Sequence, residues 1–138
     1  MGFGAGVMLT KTRNRNIPMA LRFKLWSQPC VVCGVPYNIR CDHIVPFSKG
    51  GPNCEDNLQS LCSQCNYAKR NRLSNTDLER RVVKHGLDHF LRAVWMWDTR
   101  YINPFDCPGF ERWCRDLCAP ERLQHAQDLW LTFLNKIK

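Results

Sequence analysis

Four cysteines arranged as two CxxC pairs, Cys30/Cys33 and Cys62/Cys65, are the residues whose type and spacing most directly imply chemistry. Each pair forms a tight turn that aims two thiolates at one point, and two such knuckles make the tetrahedral sulfur set of a structural Zn²⁺. The spacing predicts a four-cysteine zinc site that closes residues 34–61 into a loop held at both ends. Asp42 and His43 lie on that loop, Asn57 lies toward its end, and Asn66 follows the second knuckle directly. His43 is the only histidine of the loop. Imidazole changes charge near neutral pH, so His43 is the candidate general base.

The elements that must position these residues follow from the local patterns. From Tyr37 to Val45 the chain is rich in β-formers between Pro36 and Pro46, which predicts a strand ending near His43. Alternation puts Ile39, Cys41, His43 and Val45 on one face and Arg40, Asp42 and Ile44 on the other, so Asp42 and His43 converge only if the strand end twists. Ser48 to Asn53 is a loop by composition, and Gly50-Gly51 permits positive φ there. Leu58 to Leu61 predicts a second strand, and a helix starts on the second knuckle at Ser63 or Gln64 and runs to about Leu73.

Around this centre the chain is predominantly helical. Ile17-Pro18 opens a short helix through Trp26 that leads into the first knuckle. Ser74 to Asp77 starts another helix, with Thr76 and Glu79 in capping-box register. Its apolar stripe (Leu78, Val82, Val83, Leu87, Phe90, Leu91, Val94 and Trp95) continues past Gly86, which predicts two helices rather than one. Phe110–Cys118 and a final segment from Pro120 are also helical. The expected fold class is α+β: a small ββα-metal core stapled by a zinc on four cysteines, a basic N-terminal arm and a helical C-terminal extension. The expected boundaries are 1–16 for a flexible arm, 17–73 for the stapled core and 74–138 for the extension packed on it, a single domain overall.

Composition narrows the partners. The chain has 138 residues and a formal charge of +8, and all 12 acidic residues lie beyond residue 40. Lys11, Arg13, Arg15, Arg22, Lys24 and Arg40 therefore form an acid-free basic region suited to phosphates. No apolar run of about 18 residues is present, which predicts no membrane span. The N-terminal charges follow a weak apolar stretch, the wrong order for a secretory signal, so a cytoplasmic location is expected. Nine cysteines is an odd number, and without a signal the metal reading outweighs a disulfide framework. Cys107, Cys114 and Cys118, with His125, are candidates for a second zinc. Trp95, Trp97, Trp113 and Trp130 read as core of the helical part.

The string from Cys30 to Arg70, CVVCG…CDHIVPFSKGGPNCEDNLQSLCSQCNYAKR, resembles the HNH endonucleases of the zinc-stapled ββα-metal type. The DHI-P, GG, DNLQ and LCxxCN elements and a downstream Lys occur in order over about a third of the chain. The resemblance implies a phosphodiester hydrolase that leaves 5′-phosphate and 3′-hydroxyl ends. Asp42 is then the carboxylate ligand of one catalytic divalent ion, His43 the base, Asn57 the residue that orients the imidazole, and Asn66 the second metal ligand. The family's usual residue at that last position is His, so this sequence is an H-N-N variant. Carboxylate with amide oxygen is a hard set, which suits Mg²⁺ or Mn²⁺. Lys69 and Arg70, three and four residues beyond Asn66, face the same side of the helix and are expected on substrate phosphate. Lys11, Arg13 and Arg15 are expected on flanking phosphates.

The expected partner is DNA, in double-stranded form, with no membrane and an open oligomeric state that includes a homodimer. The expected function is a metal-dependent DNA endonuclease of phage or bacterial origin, in restriction or packaging. A non-catalytic zinc-stapled nucleic-acid-binding module and an RNA-directed nuclease are the alternatives. A binder has no need of Asp42, His43, Asn57 and Asn66 together, whereas no residue here distinguishes DNA from RNA.

Overall fold

The computed structural model describes residues 16–138. Lys11, Arg13 and Arg15 lie outside the described residues. The order of elements is α1 (Met19–Trp26), β1 (Ile39–His43), β2 (Leu58–Cys62), α2 (Ser63–Lys69), α3 (Asn75–His85), α4 (Leu87–Thr99), α5 (Cys107–Arg112) and α6 (Pro120–Ile137). Between β1 and β2 the chain makes two 3₁₀ turns, Phe47–Lys49 and Glu55–Asn57, and a π-helical turn, Trp113–Leu117, follows α5.

β1 and β2 pair antiparallel, with Ile39 opposite Cys62, Asp42 opposite Gln59 and His43 opposite Leu58. Because β2 runs straight into α2, the helix turns back alongside β1. Its start is fastened where Ser63 N and Oγ both donate to Asn38 O, and its end where Lys69 reaches Asp42. This is the ββα arrangement expected of the core, with the four cysteines gathered at one end. The fold is α+β.

α2 ends at Lys69, earlier than the expected Leu73. Arg70 adopts φ 51° and ψ −119°, a positive-φ conformation that stops the helix and turns the chain toward α3. The cap of α3 also differs from the expectation on Thr76 and Glu79. Ser74 Oγ accepts from Asp77 N, and Asp77 Oδ2 accepts from Ser74 N, so the capping box lies two residues earlier. Both pairs fit the same spacing; what decides is that the helix begins at Asn75. Gly86, at φ 57°, separates α3 from α4 as the sequence predicts.

One apolar core joins the stapled part to the helical part. Leu61 of β2, Val32 and Val35 of the first knuckle, Leu78 and Val82 of α3, Phe90 of α4, Trp113, and Phe133 of α6 are all buried in it. Phe90 packs against both Trp130 and Phe133, at ring separations of 5.8 and 5.9 Å, and those two rings stack on each other at 6.0 Å. Lys136, near the C-terminal end of α6, donates to Val31 O at 2.7 Å and so fastens that helix to the knuckle. Ile17, Leu25 and Leu58 form a smaller cluster under α1. Among the described residues no helix is long and apolar enough to cross a membrane.

Candidate active site

The sulfurs of Cys30, Cys33, Cys62 and Cys65 all lie within 4.8 Å of one another, and all four residues are buried. Each knuckle turns a backbone N–H onto its own first sulfur: Cys33 N to Cys30 Sγ at 3.5 Å, and Cys65 N to Cys62 Sγ at 3.4 Å. The second contact is also the N-cap of α2, so the same turn that presents two sulfurs starts the helix. Burial first, then the adjacent sulfurs of Cys30 and Cys62, holds the Cys33 thiol well above its ordinary pKa. The Cys65 thiol is raised by the sulfurs of Cys30, Cys33 and Cys62 ahead of burial. Cys30 moves down, through hydrogen bonds from Cys33, Cys62 and Cys65. Four crowded buried sulfurs cannot ionise together without compensating charge, and Zn²⁺ supplies it. The residues present therefore fit a structural zinc.

Among the described residues these four are the one group of three or more His, Cys, Asp or Glu side chains placed so that they could hold a metal ion. Cys107 and Cys114 are exposed and Cys118 is half-buried, and they form no such group with His125.

Asp42 and His43 line a common cleft of about 520 Å³ at the end of β1, together with Phe47, Ser48, Arg70 and Asn71. The strand end thus brings the two neighbours to one cavity although they leave β1 on alternate faces. The Asp42 carboxylate is buried, and its Oδ2 accepts from Lys69 Nζ at 2.5 Å and from Gln59 Nε2 at 2.9 Å. Oδ1 makes no hydrogen bond among the described residues. Lys69 also donates to His43 O at 2.6 Å, so its ammonium ties the strand end as well as the carboxylate. Gln59 is itself held by reciprocal amide bonds to Asn75, at 2.7 and 3.0 Å.

His43 Nε2 lies 2.5 Å from Asn53 Oδ1. The amide of Asn53 is oriented by its own Nδ2, which donates to Asn16 O at 2.9 Å, so its oxygen faces the ring. An amide oxygen only accepts; Nε2 therefore carries the proton and Nδ1 is the proton-accepting atom. Phe47 packs against the ring at 5.8 Å and 63°.

Asn57 is buried and makes no hydrogen bond to the imidazole. Its Oδ1 accepts from Val45 N at 2.8 Å, and its Nδ2 donates to Val45 O at 3.1 Å and Pro52 O at 3.0 Å. It fastens the loop that leaves His43. Gly51 completes this closure: a Cβ there would lie 1.8 Å from Val45 O and 2.8 Å from Asn57 Nδ2, so no side chain fits.

Asn66 is half-buried on α2, one turn before Lys69, and lines a neighbouring cleft with Arg40 and Cys41 rather than the His43 cleft. Its side-chain amide makes no hydrogen bond among the described residues, and it does not cap α2, which Cys62 does. Of the two cations expected on phosphate, Lys69 is turned inward while Arg70 is exposed on the cleft, its guanidinium 5.1 Å from the Tyr67 ring. Asn53, Gln59 and Asn75 are contributors that sequence reasoning did not single out. The Asp42–Gln59 pair follows from strand register, whereas no sequence pattern links Asn53 to His43.

The HNH endonuclease family model matches residues 30–72. A CRISPR-associated endonuclease Cas9 from Corynebacterium diphtheriae is 34% identical over 79 aligned residues, covering 51% of this chain. The chain spans 7% of that relative's length. No solved structure matches significantly. With the stapled ββα core, the cleft on Asp42 and His43 and the family match falling on the same segment, this chain carries an HNH endonuclease domain at residues 30–72.

Proposed function

We propose that the protein is a metal-dependent DNA endonuclease acting on double-stranded DNA, with His43 as general base. The observation that carries this reading is the pairing in one cleft of an imidazole whose Nε2 is fixed by Asn53 with a carboxylate whose Oδ2 is fixed by Lys69 and Gln59. The matching relative's printed description as an endonuclease supports the same chemistry.

His43 Nδ1 takes the proton of an attacking water, and the amide bond at Nε2 keeps that tautomer and ring orientation through the step. Asn57 and Gly51 set the loop from which the ring projects, so Asn57 orients His43 through the backbone. Asp42 Oδ1 is the oxygen that the His43 cleft offers to a divalent ion, and Asn66, which lines the adjoining cleft, would join it where α2 and β1 close on a shared ion. A bound Mg²⁺ or Mn²⁺ would supply the positive charge that a pentavalent phosphate and its leaving oxygen require. Arg70 stands at the cleft to hold substrate phosphate, and its positive-φ backbone fixes the point from which it reaches. Lys69, committed to Asp42, holds the carboxylate rather than the substrate. A phage or bacterial restriction or packaging role and a cytoplasmic location complete the reading.

The test is incubation of the full chain with supercoiled plasmid in Mg²⁺ or Mn²⁺, scoring nicked and linear products, with a folded RNA in parallel. Metal-dependent DNA cleavage is expected. Binding without cleavage in any divalent metal would leave the non-catalytic module, and cleavage of RNA alone would move the substrate class.

A further inference from the structure

A second cleft, of about 530 Å³, opens where α1, β1 and α2 meet. Its walls include Arg22, Trp26, Arg40, Cys41 and Asn66 and, among the described residues, no acidic side chain. Cys41 lines this cleft and the His43 cleft alike, so the two adjoin across β1. Among the described residues both arginines are anchored by Nε alone. Arg22 donates to Ile17 O at 2.9 Å and Arg40 to Ser63 Oγ at 3.3 Å, which fixes each fork and leaves its terminal nitrogens to a ligand. Trp26 is 42% exposed and stands edge-on to Phe23, itself 64% exposed, at 5.7 Å.

We propose that this cleft holds an unpaired stretch of the DNA strand adjoining the scissile phosphate, with Arg22 and Arg40 on phosphates and Trp26 stacked on a base. The proposal rests on the nuclease reading and names the form of DNA that reaches the site. Oriented guanidinium groups in an acid-free cleft match phosphate oxygens in charge and geometry. An exposed ring flanked by cations is the recurring platform for single strands, because every base offers a π-face. A paired duplex covers those faces, so Trp26 is useful only where the strand is frayed or open. The volume lies within the roughly 300–1,000 Å³ range of ligand clefts.

The experiment measures binding by full-length His43→Ala protein, whose cleavage is slowed, without added Mg²⁺ or Mn²⁺, to a labelled oligonucleotide of roughly 12 nucleotides, single-stranded and as a blunt duplex. Trp26→Ala is expected to weaken single-strand binding about tenfold and duplex binding much less, while Trp26→Phe, which keeps a ring, retains it. Arg22→Ala with Arg40→Ala is expected to reduce the slope of log affinity against log salt by about 1.4 on the single strand, at about 0.7 per phosphate. Thermal melting of each variant separates a weakened interface from a weakened fold. Unchanged affinity in Trp26→Ala, an equal loss on both DNA forms, or an unchanged salt slope overturns the proposal even where plasmid cleavage stands. Absence of any DNA binding and cleavage overturns the nuclease reading as well.

Discussion

Lys69 Nζ lies 2.5 Å from Asp42 Oδ2, and the two side chains are only 3% and 10% exposed. The pair joins the end of α2 to the end of β1, the two elements that flank the cleft. Removing one member leaves the other as an uncompensated buried charge. Lys69→Met and Asp42→Asn are each expected to cost about 3–5 kcal/mol in urea unfolding. The double variant should cost clearly less than the sum, because it removes both charges. Additive losses would mean the pair is not coupled in the folded protein.

The second prediction separates His43 from the residue that orients it. His43→Ala should lower cleavage by about 10²-fold to 10⁴-fold with zinc content and unfolding midpoint unchanged. Asn53→Ala should give a smaller fall in kcat with KM nearly constant, since it frees the ring without touching substrate. Asn53→Asp retains an acceptor for Nε2–H and should recover part of the loss. Equal activity of Asn53→Ala and the wild type would sever Asn53 from the mechanism.

Much of this site was legible because its signals are local. The two CxxC pairs, the strand ending at His43 and the helix starting on Cys62 each follow from a few adjacent residues, and the structure has them. What was not legible depends on register and reach. Lys69 reads from helical spacing as a phosphate contact, yet its long stem carries the ammonium inward to Asp42 once α2 lies alongside β1. Asn57 reads as the partner of the imidazole, yet it spends its three hydrogen bonds on Val45 and Pro52, and Asn53 reaches the ring instead. The capping box shifted from Thr76/Glu79 to Ser74/Asp77 because two overlapping matches differ only in where the helix begins.

A third prediction concerns the staple. Replacing Cys30, Cys33, Cys62 or Cys65 with Ser should remove zinc and melt the loop that carries His43, because metal binding contributes directly to folding. Elemental analysis should give one zinc per chain. Replacing Cys107, Cys114 and Cys118 should leave that value unchanged, and a drop would show that they bind metal. A cooperative, unshifted thermal transition in Cys62→Ser would remove the zinc from the account of the fold.

The basic arm gives a fourth. If Lys11, Arg13 and Arg15 lie on flanking phosphates, deleting residues 1–16 should flatten the salt dependence of duplex binding by up to about 0.9 in log–log slope for each phosphate the arm neutralises. Cleavage at low salt should fall less than binding at high salt. Identical slopes with and without the arm would leave those charges to solubility alone.

The last prediction addresses Asn66, where HNH endonucleases usually carry His. Its side-chain amide is uncommitted among the described residues and α2 is capped by Cys62, so nothing in the local fold requires Asn at this position. With Asp42 it offers two oxygen ligands, a sparse set that suits Mg²⁺, which sheds its waters reluctantly and takes few protein contacts. Mg²⁺ and Mn²⁺ should therefore support cleavage by the wild type. Asn66→His should shift the preference toward Co²⁺ and Ni²⁺, which bind imidazole more tightly along the divalent series. Rates of both proteins across the four metals at one pH decide the matter, with metal affinity measured by titration in the absence of DNA as a second reading. Asn66 and Asp42 line adjoining clefts rather than one, so the titration also tests whether α2 and β1 close on a shared ion. The same order of metals in both proteins, with unchanged affinities, would mean that Asn66 is not a ligand and that Asp42 alone anchors the ion.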